Sequence, residues 1–256
     1  MTPARLVLTA LPNVPLIQRG DDLAAIVLRG LIDARIELQD DDVLVLAQKI
    51  VSKAEGRMVR LRDVTPSPRA LKLAEQSGKD ARFCQAILWD TREIVRVREG
   101  LIIVETHHGW VCANAGIDRS NVAPHDENEW VLRLSADADR SACELRECLR
   151  AATSRAVGVI INDSHGRAWR NGAVGVAVGV AGLPCVEDLR GHPDLFGHQL
   201  RVTTVGLADQ IASAASLLQG QADEGRPIIH ARGVTLSRRA GSAHEMVRAK
   251  EHDLFR

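Results

Sequence analysis

Two short apolar runs that stop abruptly in polar residues constrain this chain more than any other feature. Asp42-Val-Leu-Val-Leu-Ala47 passes at once into Gln48-Lys-Ile-Val-Ser-Lys-Ala-Glu-Gly56, and Ala156-Val-Gly-Val-Ile-Ile161 closes on Asn162-Asp163-Ser164. Apolar runs of this length read as strands, and the carboxyl edge of a sheet is a natural place for a ligand. Helical spacing surrounds them. Leu23, Ile26, Val27, Leu31 and Ile32 follow a capping Asp21 or Asp22, Ser67-Pro68 opens a second helix, and Phe83, Ile87 and Leu88 mark a third. Residues 141–155 form an amphipathic helix and 208–218 another, with Gly220 at its C′ position. Residues 93–98 and 101–106 flank Glu99-Gly100 as a hairpin, which excludes a purely parallel sheet. The expected class is α+β (mixed α/β), in one domain over 1–256, because no repeat or Gly/Ser/Pro linker divides the chain. Residues 173–182 alternate Val with Gly and Ala, leaving room for another backbone or a ligand to come close. The polar, Arg-rich end over 237–256 is expected as a surface extension.

Charge narrows the function. Lys+Arg and Asp+Glu are 33 each, so the chain lacks the basic field of a general nucleic-acid binder. No segment approaches the ~18 apolar residues of a membrane span and the start does not read as a signal peptide, so a cytoplasmic protein without a membrane partner is expected. Five cysteines without C-x-x-C spacing are expected as free buried thiols. The chain has no P-loop, no G-x-G-x-x-G and no H-E-x-x-H. Any nucleotide or metal site must therefore be of an unusual kind.

Four segments carry candidate chemistry. Val14-Pro-Leu-Ile-Gln-Arg-Gly-Asp-Asp22 constrains the backbone before a helix, where an anion or a base can be held; a capped helix entry is the plainer reading. Lysine is scarce, 5 residues against 28 arginines, yet Lys49 and Lys53 sit four apart, facing the same way, as two compact ammonium groups for phosphate or as a solvated helix face. In the stretch 105–122, Asp118 and Asn121 turn a carboxylate and an amide toward one ligand, whereas the adjacent His107 and His108 on extended backbone point opposite ways. In Asn162-Asp-Ser-His-Gly-Arg-Ala-Trp-Arg-Asn-Gly172, a carboxylate, a hydroxyl and two arginines gather after a buried strand, as a site or as an Asp-Ser turn. Asp118, Asp163 and Ser164 suit Mg²⁺ or Mn²⁺ better than zinc, and hard cations usually travel with phosphates.

These residues resemble a known family. Val14-Pro-Leu-Ile with Gly20-Asp-Asp-Leu23, the segment from Gln48 to Gly56, the whole of 105–122, Asp163 with Gly166-Arg167 and Trp169-Arg170, Val180-Ala-Gly182, Asp188-Leu-Arg-Gly191 and the chain ending are similar, in order, to coenzyme F420-0:L-glutamate ligases. The resemblance implies transfer of the GTP γ-phosphate to the carboxylate of the deazaflavin F420-0, attack by the amine of L-glutamate, and further γ-linked rounds. It implies an intertwined homodimer, a divalent cation (Mg²⁺ or Mn²⁺) and K⁺ as a further cation. By position, Val14, Pro15, Leu16, Ile17, Gln48, Lys49, Lys53, Asn121 and Gly220 correspond to GTP-binding residues, and Asp118, Asp163, Ser164 and Gln221 to metal-side residues. Arg167 and Arg170 are candidate partners for the glutamate carboxylates.

Departures from the family pattern are local. Family members often carry Thr-Phe-Gly-Arg-Pro-Trp-Arg where this chain has Ser164-His-Gly-Arg-Ala-Trp-Arg170, and Met-Gly where it has Gln219-Gly220. Two other functions use the same polar loops: a metal-dependent phosphohydrolase, which needs no acceptor, and a non-catalytic nucleotide- or deazaflavin-binding protein, which tolerates loss of Asp118 and Asp163.

Overall fold

The protein is described here by a computed structural model covering residues 4–122, 129–236 and 239–254. The first half runs β1 (Val7–Ala10), α1 (Leu23–Asp33), β2 (Val43–Ala47), α2 (Gln48–Ala54), β3 (Met58–Arg60), α3 (Pro68–Ser77), α4 (Ala81–Trp89), β4 (Thr91–Arg98), β5 (Leu101–Thr106) and β6 (Val111–Ala113). The second runs β7 (Trp130–Leu132), α5 (Ala138–Thr153), β8 (Gly158–Arg167), β9 (Arg170–Ala181), β10 (Glu187–Asp188), β11 (Thr204–Val205), α6 (Leu207–Gln219) and β12 (Ile228–Arg232). Helix starts follow local chemistry: Asp22, Ser67, Asp80 and Asp137 each accept a backbone N–H as the N-cap of α1, α3, α4 and α5.

The main sheet has the order β1-β12-β2-β8-β9, with β2 and β8 parallel and the other neighbours antiparallel. Strand alternation sends Leu44, Leu46, Val159, Ile161 and Ile228 to one face, against Val27 and Leu31 of α1 and Leu145 and Leu149 of α5. Val43, Val45, Ile160, Ile229 and Ala231 meet α6 on the other, through Ala208, Ile211, Ala212 and Ala215. The two apolar runs are therefore the parallel centre of a sheet covered on both faces, which is why neither shows alternation in sequence. A separate core joins α3 and α4 to the β4-β5-β6 sheet through Leu73, Phe83, Ile87, Ile102 and Val104. The expected mixture of helix and strand holds, and β4 and β5 form the expected hairpin with Gly100 in the left-handed region (φ 77°).

Four expectations change. Asn162-Asp163-Ser164 does not close β8: the strand continues to Arg167, paired to β9 and turning at Trp169 (φ 63°). Beyond Asp163 the residues of β8 are exposed or half-buried, so apolar side chains are not required there and the polar run resembles a turn in sequence. The small face of 173–182 admits backbone rather than ligand, since a Cβ on Gly175 would meet Ala212 O at 2.6 Å and one on Gly179 would meet Ala138 O at 2.4 Å. Of the cysteines, Cys84, Cys112 and Cys185 are buried free thiols, whereas Cys143 and Cys148 are exposed on α5. The Arg-rich end is also not only a surface extension. Ala243 is fully buried, its N–H donates to Asp139 Oδ1 and Oδ2, and Asp139 Oδ1 also accepts from Val180 N–H.

At the start of β2, Asp42 is 1% exposed and accepts from Arg232 Nε (2.8 Å) and Nη2 (2.6 Å) and from the Gln39 N–H (2.8 Å), while His230 Nε2 stands 2.9 Å away. Burial alone would raise this carboxyl; the Arg232 guanidinium, the nearby His230 ring and the Gln39 N–H together outweigh that and hold it below the ordinary carboxylate value.

Candidate active site at the end of the second strand

No loop separates β2 from α2, so Gln48, Lys49 and Lys53 project directly from the carboxyl end of a central strand. Gln48 is 1% exposed; its Nε2 donates to Asp118 Oδ2 at 2.7 Å and its Oε1 accepts from Ser52 Oγ at 2.8 Å. Lys49 Nζ lies 3.4 Å from Asp118 Oδ1 and donates to the carbonyl and hydroxyl oxygens of Ser120 at 3.2 and 3.1 Å. One turn later Lys53 Nζ donates to the Asn121 carbonyl at 2.7 Å. Asn121, held in the left-handed region (φ 57°), donates through Nδ2 to Ala222 O at 2.7 Å, which draws the segment after Gly220 and Gln221 to the same place. Asp118 itself is fixed by reciprocal 2.9 Å backbone bonds with Leu132 of β7.

The electrostatics show how tightly these groups are gathered. Burial first and the Asp163 carboxylate second push the Asp118 carboxyl up to about 6, against the pull of Lys49 and Gln48. Burial, then Lys49, hold the Lys53 ammonium below its ordinary value, with Asp118 partly offsetting them. Asp163, 9% exposed, is joined at Oδ2 by His165 Nε2 at 2.8 Å. Burial disfavours the His165 imidazolium, yet Asp163, with Asp209 and Asp118 beyond it, raises its pKa overall. Burial, then Asp163, push the Cys112 thiol up to about 12, so that sulfur stays protonated beside the carboxylates.

Of the residues selected from sequence, Gln48, Lys49, Lys53, Asp118 and Asn121 meet directly, with Asp163 joined to them through its field on Asp118 and Gly220 through the segment that Asn121 holds. Ser164 does not share Asp163's side: it is the next residue on β8, so its side chain projects to the opposite face and is exposed. Gln221 is exposed and makes no side-chain hydrogen bond among the described residues. Val14, Pro15, Leu16 and Ile17 form no hydrogen bond with the lysines among the described residues. Their connection is packing, Ile17 and Val14 lying in one cluster with Ile50 and Val51, and a 2.8 Å bond from Gly20 N–H to Ala54 O. Leu16 is 87% exposed, a free apolar wall beside that loop. Arg167 donates to Gly172 O across its own hairpin at 3.1 Å.

Sequence reasoning also misplaced the histidines. His107 and His108 lie on the turn between β5 and β6, not on extended backbone, and both border a cavity of about 200 Å³ with Gln48, Trp110 and His244. Asn162, one residue before Asp163, donates to Gln219 Oε1 at 2.5 Å, and Gln219 Nε2 in turn donates to Pro227 O at 3.3 Å. Gln219 therefore supports the strand beneath the carboxylate.

Two ammonium groups stand beside one buried and one half-buried carboxylate, an arrangement whose chemistry suits a polyanion and a hard cation. Among the described residues no three His, Cys, Asp or Glu side chains form a ready-made metal cage. The carboxylate pair still fits a Mg²⁺-like ion, which typically takes one or two protein carboxylates and completes its shell with phosphate oxygens and water.

Comparison with known proteins accords with this geometry. Residues 13–233 match the family described as F420-0:Gamma-glutamyl ligase. A coenzyme F420:L-glutamate ligase of Methanothermobacter thermautotrophicus is 45% identical over 251 residues, 97% of this chain and 98% of that protein. One from Methanopyrus kandleri is 46% identical, covering 94% and 93%, and one from Archaeoglobus fulgidus 41%, covering 95% and 94%. The match spans both strands of the sheet centre, the lysine-bearing helix and the Asp118 and Asp163 segments, and on that ground the chain belongs to the F420-0:gamma-glutamyl ligase family.

Proposed function

We propose that this protein ligates L-glutamate to coenzyme F420-0 at the expense of GTP, by way of an acyl phosphate, and repeats the step through the γ-carboxylate of the glutamate just added. The observation that carries the reading is the meeting of Lys49, Lys53, Asp118 and Asn121, with Asp163 beside them, at the end of β2. A carboxylate is a poor electrophile and phosphate a good leaving group, so phosphorylation divides one hard substitution into two easier ones. The protein's task is then to align anions and offset their repulsion. Lys49 and Lys53 supply fixed positive charge for the β- and γ-phosphates, and Gln48 orients Asp118. The Val14–Ile17 loop contributes its exposed apolar edge to the nucleotide, and Asn121 and Gly220 close the site from the other side.

The two coupled carboxylates favour a divalent cation, Mg²⁺ or Mn²⁺. Asp118 and Asp163 would hold it, with Gln221 on its periphery and K⁺ as a further cation. Such an ion neutralises charge that develops on the transferred phosphoryl group. The glutamate amine must reach the activated carbonyl uncharged, and GDP and phosphate leave after the amide forms.

A second copy of the chain belongs to this reading. Leu195, Phe196 and Val202, in the excursion between β10 and β11, are 99, 85 and 85% exposed, and Leu217 on α6 is 82% exposed. Apolar side chains so bare favour burial against a partner subunit. These supports are consistent with a homodimeric ligase. Incubating the protein with F420-0, L-glutamate, GTP and Mg²⁺ is expected to raise the acceptor mass by one or more glutamyl units. GTP hydrolysis without any such gain would identify a phosphohydrolase instead.

A further inference from the structure

Besides the cavity that Gln48 and the histidines border, a second, more open cavity of about 620 Å³ is lined by Lys79, Asp80, Phe83, Asn114, Arg119 and Asp118, among others. Its size is that of a site for a cofactor-sized molecule. The positive groups are arranged as a pair: the Arg119 guanidinium lies 4.1 Å from the Phe83 ring centroid and the Lys79 ammonium 5.5 Å from the same centroid. Burial, then Arg119, hold Lys79 below its ordinary value, as expected of positive charge with no counter-charge to hand. The carboxylate of the neighbouring Asp80 is already engaged, by the Arg82 side chain at 2.7 Å and by the N–H groups of Arg82 and Phe83. Two cations thus face the cavity unneutralised by it.

Two further observations point to a ligand. Asn114 Oδ1 is buried without a hydrogen-bond partner, an acceptor awaiting an N–H or O–H. Asn114, Ala115 and Gly116 form a consecutive left-handed run, with φ of 52°, 56° and 68°, separated from Asp118 only by Ile117. For a non-glycine residue this conformation costs about 1–3 kcal/mol, and such strain gathers at ligand sites. The cavity is also continuous with the lysine side of the active site, because Asp118 and Ser120 line it and both touch Lys49.

We propose that this cavity holds the deazaflavin acceptor, with Lys79 and Arg119 taking its negatively charged groups and Asn114 accepting one polar hydrogen, so that the acceptor's carboxylate is led toward Asp118. The guanidinium of Arg119, resting on Phe83 by one face, presents its other face to a planar heterocycle. This inference rests on the ligase reading and assigns its acceptor subsite. Nucleotide phosphates share the same chemistry, and kinetics separate the two.

The test compares the intact protein with K79Q/R119Q and, as a conservative partner, K79R, each checked for an unchanged thermal transition. The expected result is a KM for F420-0 raised tenfold or more in the double variant, with the KM for GTP within twofold of the parent and K79R close to the parent in both. A rise confined to the KM for GTP would assign the cavity to the nucleotide and overturn the proposal, as would two unmoved constants. If the parent protein adds no glutamate at all, the ligase reading fails. The subsite is then judged by titrating F420-0 alone: weaker binding to the double variant supports the cation pair, and equal binding overturns it.

Discussion

Each end of β2 stands beside a carboxylate, buried at the start and half-buried past the end, and the two behave oppositely. At the start, Asp42 is enclosed by Arg232, His230 and a backbone N–H, and its carboxyl is held below the ordinary value. Past the end, Asp118 is enclosed with another carboxylate and pushed up to about 6 despite Lys49 and Gln48. Asp42 is the more deeply buried of the two, yet its carboxyl is the one held low, so the completeness of the partner set rather than burial decides the direction. A satisfied charge stabilises the fold, whereas an incompletely satisfied one lowers stability and leaves room for a ligand to supply what is missing.

Substitution should separate these roles. Asp118→Asn is expected to lower glutamylation by on the order of a thousandfold, the loss typical of a removed charge-stabilising group. Because its parent carboxyl is raised by folding, the same variant should unfold at equal or higher denaturant; reduced stability together with normal turnover would reverse the comparison. Asp42→Ala is expected to cost about 3 kcal/mol by denaturant unfolding, since it removes two charge-assisted hydrogen bonds from a partly exposed Arg232 that keeps only the Glu37 carbonyl. Acid sharpens the contrast. The native pKa of Asp42 is lowered, so its contribution is complete above the unfolded value near 3.8 and is lost as pH falls below it. The parent should therefore lose stability below about pH 4 more steeply than Asp42→Asn, and parallel acid curves would show that Asp42 is not the group responsible.

A smaller effect is expected at Gln219. Replacing it with Met removes the acceptor for Asn162 Nδ2, and a buried donor left unpaired costs about 1–3 kcal/mol. Turnover should fall only as far as Asp163, next in the strand, loses its position. The mildest change is expected from Leu195→Glu with Phe196→Glu, which should leave the monomer fold intact while shifting sedimentation from dimer to monomer. An unchanged dimer would remove this excursion from the subunit contact.

Legibility from sequence followed the range of the interactions. Helices with their own caps, the β4-β5 hairpin and the paired lysines rest on neighbours within a few residues, and all are readable. Asp42 is not, because Arg232 stands 190 residues away and nothing local announces the pairing. Polar residues within β8 resemble a turn in sequence, and His107 and His108 read as extended backbone where the chain in fact turns. Lys79 was within reach: the scarcity of lysine that marks Lys49 and Lys53 applies equally to it, but its partner Arg119 lies 40 residues on and only folding brings them to one ring.

The order β1-β12-β2 has a consequence in time. The first two strands made are not neighbours; the place between them is filled by a strand that begins at residue 228. A chain emerging from the ribosome must keep β1 and the open edge of β2 waiting until β12, beginning at Ile228, has been synthesised. Closing the sheet is thus a late, long-range event, slow by the measure of sequence separation and exposed to misassociation until it happens.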